Sequence, residues 1–153
     1  MLFRSLDCAP SLDRFLTEVE AAVSFVRRTG NEQSAQVLGT YRWLADVLLG
    51  ESTAAAGEAV SADVYAGNPV AQFNAHLSHA TAAAIFGDPA GLERHTAAAM
   101  PLVSLFPGLY PTGVARLLRG LALAGQARAA DGDERGGLLA ELDEVTRDRK
   151  SVV

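Results

Sequence analysis

The strongest constraint on the fold is a series of paired helix-start and helix-stop signals along the chain. Asn68-Pro69 and Asp88-Pro89 each combine a capping side chain with a proline suited to the first helical position. Between these signals, apolar residues recur at spacings of three and four, which is typical of one buried helix face. The pattern predicts helices over 11–29, 32–49, 69–87, 89–104 and 111–130, a short one over 54–60, and another that begins near Glu134 or Gly137.

Strand signals are absent from the sequence. No run alternates β-branched with polar residues, and Asp131-Gly132 is flanked by helical patterns rather than by strands. Apolar residues make up 49% of the chain but aromatic residues only 7%, which suits closely packed, alanine-rich helices. The sequence therefore predicts an all-α fold in which antiparallel helical hairpins recur at roughly 35 to 40 residues and stack as a right-handed solenoid.

The predicted inward faces follow the same spacing. The first face comprises Leu12, Phe15, Leu16, Val19, Ala22, Val23 and Val26, and the second comprises Ala35, Leu38, Tyr41, Leu44 or Ala45, and Leu48. The third comprises Phe73, Leu77, Ala80, Ala84 and Ile85. The fourth is carried by Leu92, Ala97 or Ala98, and Met100, and the fifth by Leu117, Leu118, Leu121 and Ala124. Each set forms a stripe along one side of its helix, as expected for a face turned toward a core.

The two termini resemble translated sequencing adaptors. Met1 to Ser5 is what GTG CTC TTC CGA TCT encodes, and Asp148 to Val153 is what GAT CGG AAG AGC GTC GTG encodes. We therefore expect 6–147 to be a segment of a longer protein. We expect 1–5 and 148–153 to be adaptor-encoded ends that stay exposed or extend a neighbouring helix, outside the core.

Composition excludes several partners. The net charge is -5 with no long run of like charge, so nothing indicates a nucleic-acid surface. No apolar stretch approaches the roughly 18 residues of a membrane span. Cys8 is the single cysteine, which excludes an internal disulfide framework and favours a reducing, cytoplasmic setting. The sequence contains no phosphate-binding loop and no protein-kinase signature, and it predicts no cofactor.

Two sets of segments resemble known families. The first set resembles a degenerate tetratricopeptide unit that lacks the typical Trp and Tyr. It comprises Phe73 to Ala80, Ile85 to Pro89, Leu92, Ala97 and Ala98. The second set is similar to the helical region of large bacterial ATPase proteins. It comprises segments 28–32, 39–42, 65–69, 106–111 and 117–124. Maltose-activator-like and LuxR-type ATPase regulators are related to that family.

The resemblance implies a role in signalling. In such proteins a serine/threonine kinase domain and a nucleotide-hydrolysing domain precede the helical repeats, and sensory modules follow them. None of the family's catalytic motifs lies in this chain, so the resemblance implies a non-catalytic scaffold that binds a protein partner or neighbouring domains of the same chain. The effector-sensing region of a transcription activator stays open as an alternative.

Four residues are candidate partner contacts on a concave face: Arg42, Gln72, His76 and His79. The alternative function is a small helical metal-binding or enzymatic domain that uses His76, His79 and His95, because His76 and His79 lie on one helix face and imidazoles are common zinc ligands. Ordinary packing of these histidines is the competing explanation.

The last predicted helix suggests self-association. If the chain is cut within a solenoid, the last hairpin lacks its outer neighbour. We then expect Leu138, Leu139, Leu142 and Val145 to be partly exposed, and the C-terminal end to associate with another copy.

Overall fold

A computed structural model describes residues 9–52, 62–65 and 67–148. Within these ranges the chain forms six α-helices: α1 Leu12–Arg28, α2 Glu32–Leu48, α3 Pro69–Phe86, α4 Pro89–Val103, α5 Tyr110–Ala129 and α6 Gly132–Asp148. A short 3-10 helix, Ala62–Tyr65, precedes α3, and the described residues contain no strand. The prediction of an all-α fold is confirmed.

The capping side chains predicted from the sequence set the helix boundaries. Ser11, Asn68 and Asp88 each accept a hydrogen bond from the backbone N–H three residues later, at 3.2, 3.1 and 2.9 Å. Asn31 does the same for α2 at 3.0 Å. Gly87 ends α3 with φ of 71°, a left-handed conformation that glycine adopts at little cost. Local chemistry therefore determines where most of these helices begin.

α6 begins earlier than predicted, at Gly132 instead of Glu134 or Gly137. Asp133 and Glu134 lie in its first turn, where negative charge stabilises the helix dipole. The short helix predicted over 54–60, Cys8 and the end 1–5 lie outside the described residues. Of the end 148–153, only the backbone of Asp148 is described, as the last residue of α6.

Each helix packs against the next one in sequence, and α3 also contacts α5. Short connections join α1 to α2, α3 to α4, and α5 to α6, so these pairs are antiparallel hairpins. The direction does not alternate between α2 and α3. Near the start of both helices the Asn68 side chain donates to the Gln36 side chain at 2.7 Å. Farther along, Tyr41 contacts Asn74 and Trp43 contacts His79.

α2 and α3 are therefore parallel neighbours, because contacts advance along both helices together. The regular alternation expected of three hairpins in series is not kept at this step. The physical reason is the long connection between Leu48 and Pro69, which allows the chain to return to the end of the molecule where α2 began. Asn68 fixes this register, since its amide also donates to the Gln33 carbonyl at 3.0 Å.

α3 is the central helix and is buried on most of its sides. One core joins it to α4 and α5 through Phe73, Leu77, Ala80, Ala99, Val103, Ala115 and Leu118. A second core joins α1 to α2 through Phe15, Val19, Val23, Leu38, Tyr41 and Ala45. The inward faces predicted for α1 and most of α3 are confirmed, although Ile85 is 59% exposed at the end of α3.

The predicted inward faces of α4 and α5 need correction. On α4, Ala97 and Ala98 are exposed, whereas Thr96, Ala99 and Val103 are buried. On α5, Leu118 is buried as predicted, but Leu117 and Leu121 are 52% and 51% exposed. The face that α5 turns inward instead carries Ala115, Leu118, Arg119, Ala122 and Leu123. Leucines lie on two sides of α5, so their spacing alone does not show which side is covered.

α6 packs through a single face. Leu138 and Leu142 are half-buried and Leu139 is 43% exposed, as expected for an edge helix. The prediction is wrong for Val145, which is only 8% exposed because it turns toward α5. None of the described helices combines the length and the apolar character needed to cross a bilayer.

Candidate interaction surfaces

The four predicted contact residues do not share one surface. Arg42 is exposed and lies on the side of α2 that faces α1, where its guanidinium is 3.4 Å from the Glu20 carboxylate. It also lies 3.8 Å from Asp46, one turn farther along α2. Gln72 is half-buried on α3. Arg42 therefore belongs to the α1–α2 surface, whereas His76 and His79 face α4.

The three histidines predicted as a group do come together, between α2, α3 and α4. The Nδ1 atoms of His76 and His95 are 3.2 Å apart. The His79 ring stacks on the His95 ring, with centroids 4.7 Å apart and an interplanar angle of 14°. The centroid of the His79 ring also lies 3.9 Å from that of the Trp43 ring. We call His76, His79, His95 and Trp43 the histidine cluster.

The surroundings of His95 assign its protons. The Arg94 Nη2 atom lies 3.4 Å from His95 Nε2, and a guanidinium can only donate. His95 Nε2 therefore accepts, and the neutral ring carries its proton on Nδ1. That proton is donated to His76 Nδ1, which leaves the His76 proton on Nε2. Arg94, His95 and His76 thus form a directed chain of hydrogen bonds.

Burial favours the neutral forms of His76 and His95. Desolvation lowers the pKa of His76 below its usual value. For His95, burial is the largest cause and lowers the pKa to about 4, with further lowering by the nearby His79, Arg94 and His76. Asp88 acts in the opposite direction. Protonated His95 would direct an N–H toward the Arg94 guanidinium, so charge repulsion and lost hydration both oppose protonation.

The histidine cluster is poorly arranged for a metal ion. Within the described parts of the chain, no three His, Cys, Asp or Glu side chains are placed so that they could hold one. Binding through both Nδ1 atoms would also move the His95 proton to Nε2, against the Arg94 donor. The rings stack instead of converging, because His79 lies flat against His95.

A second candidate surface lies between α5 and α6, and only its α6 residues Leu142 and Val145 belong to the predicted self-association surface. A hollow of about 170 Å³ is lined by Arg116, Leu117, Gly120, Leu121, Leu142, Val145 and Thr146. We call it the α5–α6 hollow. Leu117 and Leu121, four residues apart on α5, form its exposed apolar edge. The sequence signal was present in the leucine stripe of α5, which was interpreted as core.

One polar network holds the helices around this hollow. Buried Arg119 on α5 donates from Nε and Nη2 to the Glu141 Oε1 of α6, at 2.9 and 2.6 Å. Its Nη1 atom lies 3.5 Å from the Glu93 carboxylate of α4. One arginine therefore connects three helices, and its charge is compensated from both sides.

Comparison with known proteins adds no further constraint: no family model, curated protein or solved structure matches the chain.

Proposed function

We propose that this chain is a non-catalytic helical-repeat scaffold for protein–protein contact, stacked as a tetratricopeptide-like, right-handed solenoid. The resemblance to bacterial ATPase proteins supports a place within a multidomain ATPase or kinase, where the scaffold would bind a protein partner or relay its binding to neighbouring domains.

The observation that carries the proposal is a row of helices that run in one direction. α2 and α3 are parallel neighbours, and α3 contacts α5. Glu93, near the start of α4, reaches Arg119 halfway along α5, whereas the end of α4 connects to the start of α5, so α4 and α5 are antiparallel. Because α4 is also antiparallel to α3, α3 and α5 are parallel. The three helices begin at residues 32, 69 and 110. α3 and α5 are the first helices of the second and third hairpins, and the interval from residue 69 to residue 110 falls in the range of helical repeats, roughly 34 to 47 residues, in which equivalent helices pack side by side. α2 joins the row as the second helix of its hairpin.

The surface of this row supports contact with another protein. The exposed leucines of α5 border an apolar hollow instead of lying scattered. Contiguous apolar patches on a soluble protein are typical of interaction sites.

Hydrogen exchange across the full chain tests the stacked arrangement. In a stack each helix is supported only by its neighbours, so protection should be greatest in α3 and should fall toward α1 and α6. Protection that is uniform from α1 to α6 would show one cooperative globular unit and would contradict the solenoid. Maximal protection in α6 would contradict it as well.

The alternative function, a metal-binding or enzymatic domain, depends on His76, His79 and His95. The 3.2 Å separation of the His76 and His95 Nδ1 atoms is the feature compatible with two ligands of one ion, whereas His79 stacks on His95 and does not converge with them. Titration with Co²⁺ and Zn²⁺, followed by visible absorption and calorimetry, separates the two functions. A scaffold should bind neither ion stoichiometrically. Stoichiometric binding that His76→Ala abolishes would favour the metal site.

A further inference from the structure

We propose that a second copy of this chain covers the α5–α6 hollow, with α5 of each copy packed on α6 of the other. This inference rests on the proposed function, because it names the partner for one contact surface of the scaffold. The contact is self-complementary: a two-fold axis places the same two helices of both copies against each other and closes the assembly as a dimer.

The first support is the opposite charge of the two helices. The α5 sequence contains the three arginines Arg116, Arg119 and Arg128 and no acidic residue. The α6 sequence contains six acidic residues, Asp133, Glu134, Glu141, Asp143, Glu144 and Asp148, against two arginines. Arg119 is buried and its charge is compensated by Glu93 and Glu141, so the exposed arginine of α5 is Arg128, which attracts the carboxylates of α6. Charge complementarity of this kind selects the partner and its register.

The chain already uses this pairing internally. Arg119 of α5 binds Glu141 of α6 at 2.6 Å. Exposed charges of the same signs remain on the outside of the pair. Arg128 on α5, and Asp143 and Glu144 on α6, form no ion pair with a described residue. A second copy would bring Arg128 of α5 to the exposed α6 carboxylates and so repeat between copies the kind of ion pair that exists within one.

The second support is shape. The hollow has a volume of about 170 Å³ and contains Leu117, Leu121 and Leu142 in its walls. Apolar cavities of about 150 Å³ accommodate benzene, so the hollow has room for one apolar side chain. Leu139 lies one turn from Leu142 on α6 and is 43% exposed. In the crossed arrangement, we place Leu139 of the second copy in this opening.

Sedimentation equilibrium of the full chain at micromolar concentrations tests the dimer. We expect a monomer–dimer equilibrium that weakens as salt is raised, because part of the attraction is between exposed charges. Leu121→Glu should raise the dimer dissociation constant by roughly tenfold or more, since it buries a charge at the contact. Ile85→Glu is the matched control. Ile85 is 59% exposed, against 51% for Leu121, but lies at the end of α3, and this variant should dimerise normally.

Far-UV circular dichroism checks that the Leu121→Glu and Ile85→Glu variants fold. The double variant Asp143→Lys, Glu144→Lys is a second test that changes no apolar residue. It should weaken the dimer because it removes the negative charge that attracts α5. A chain that remains monomeric, or a dimer that Leu121→Glu and the lysine variant leave unchanged, would overturn the proposal.

Disulfide cross-linking tests the crossed arrangement. In a Cys8→Ser background, Leu121→Cys and Leu139→Cys chains are mixed and oxidised. Cross-links between positions 121 and 139 should predominate. Predominant links between two copies of position 121 would show α5 packed on α5 and would overturn the crossed geometry.

Hydrogen exchange on the Leu121→Glu monomer separates this proposal from the proposed function. In one outcome the wild-type chain does not dimerise, but the Leu121→Glu monomer still shows its greatest protection from amide exchange in α3. The second copy is then excluded while the scaffold stands. If the monomer instead shows uniform protection, the scaffold itself fails.

Discussion

At the scale of single residues, buried polar groups fix which helices meet and in what register. Tyr41 and Asn74 are both buried, and the Tyr41 hydroxyl donates to Asn74 Oδ1 at 2.7 Å. The Asn74 amide in turn donates to the Val70 carbonyl at 2.8 Å. Apolar contacts tolerate small shifts between helices, but a directed hydrogen bond between buried groups does not. The contact therefore holds α2 and α3 parallel at one register.

Replacing Tyr41 with Phe should destabilise the protein by about 1–3 kcal/mol, because Asn74 Oδ1 stays buried without its donor. Urea unfolding measures the change. Tyr65→Phe is the control, since Tyr65 is half-buried and its hydroxyl bonds to no described side chain. Adding Asn74→Leu to Tyr41→Phe should recover part of the loss, because the unpaired oxygen is removed. Equal effects of the two tyrosine substitutions would contradict this role of the hydrogen bond.

The histidine cluster makes stability depend on pH. The pKa of His95 is lowered from 6.5 to about 4 in the folded chain, first by burial and then by His79, Arg94 and His76. Between these two values the unfolded chain binds more protons than the folded chain. The contribution of neutral His95 to the free energy of unfolding is therefore fully present above pH 6.5 and is lost as the pH falls through 6.5 toward 4. The lowered pKa of His76 acts in the same direction.

We expect the urea concentration at the unfolding midpoint to decrease when the pH is lowered from 7.5 to 5. The variant His95→Gln should show a smaller decrease. Glutamine keeps a polar side chain at the position but does not titrate. Carboxylates with ordinary pKa values titrate mainly below this window, so the difference between wild type and variant isolates the imidazoles. An unchanged pH dependence in His95→Gln would exclude His95 as its cause.

At the scale of helices, α5 shows how far the sequence determines the structure. Its boundaries were predicted within one residue, because turn and proline signals are local. Its buried face was not. A hydropathy pattern places leucines inside and arginine outside, whereas Arg119 is buried and Leu117 is exposed. What permits this is tertiary: Glu93 and Glu141 reach Arg119 from two other helices. No pattern within α5 contains that information.

The Arg119 network should contribute unequally through its two acids. Glu141→Ala leaves Arg119 without its two short hydrogen bonds and should destabilise α6 by about 1–3 kcal/mol, discounted because Glu141 is partly exposed. Glu93→Ala removes only a 3.5 Å contact and should cost less. Arg119→Met removes the buried charge itself, so no unpaired buried charge remains. It should therefore lower the free energy of unfolding by less than Glu141→Ala does. Thermal unfolding gives the order, and a larger effect of Glu93→Ala would contradict it.

At the scale of the whole molecule, the sequence predicted the number of long helices but not how the first hairpin joins the rest. The parallel packing of α2 and α3 depends on Asn68 reaching Gln33 and Gln36, a contact between residues more than thirty positions apart. The same limit applies to the candidate surfaces. The grouping of the three histidines followed from helix periodicity and hairpin pairing. The separation of Arg42 from the histidines did not follow from these patterns, because it depends on the contact between α1 and the side of α2 that carries Arg42.

Phe15 and Phe73 belong to different cores, which allows a test of how far stability is shared along the stack. Phe15 and Phe73 are both buried aromatic residues of equal size, with exposures of 0% and 2%. Phe15 belongs to the α1–α2 core, whereas Phe73 joins α3 to α4 and α5 and lies 5.3 Å from the Phe106 ring. Each substitution to alanine should cost about 3–5 kcal/mol locally, from lost burial and the cavity left behind.

Where that loss spreads depends on the architecture. In a stack, helices are coupled through nearest neighbours only, so Phe15→Ala should accelerate amide exchange in α1 and α2 and leave α4 to α6 protected. Phe73→Ala should accelerate exchange in every helix that α3 supports, because α3 contacts α2, α4 and α5. Exchange followed helix by helix in both variants distinguishes the cases. If Phe15→Ala loosened α5 and α6 as much as α1, the molecule would unfold as one cooperative unit, and nearest-neighbour coupling would be excluded even though the helices lie in a row.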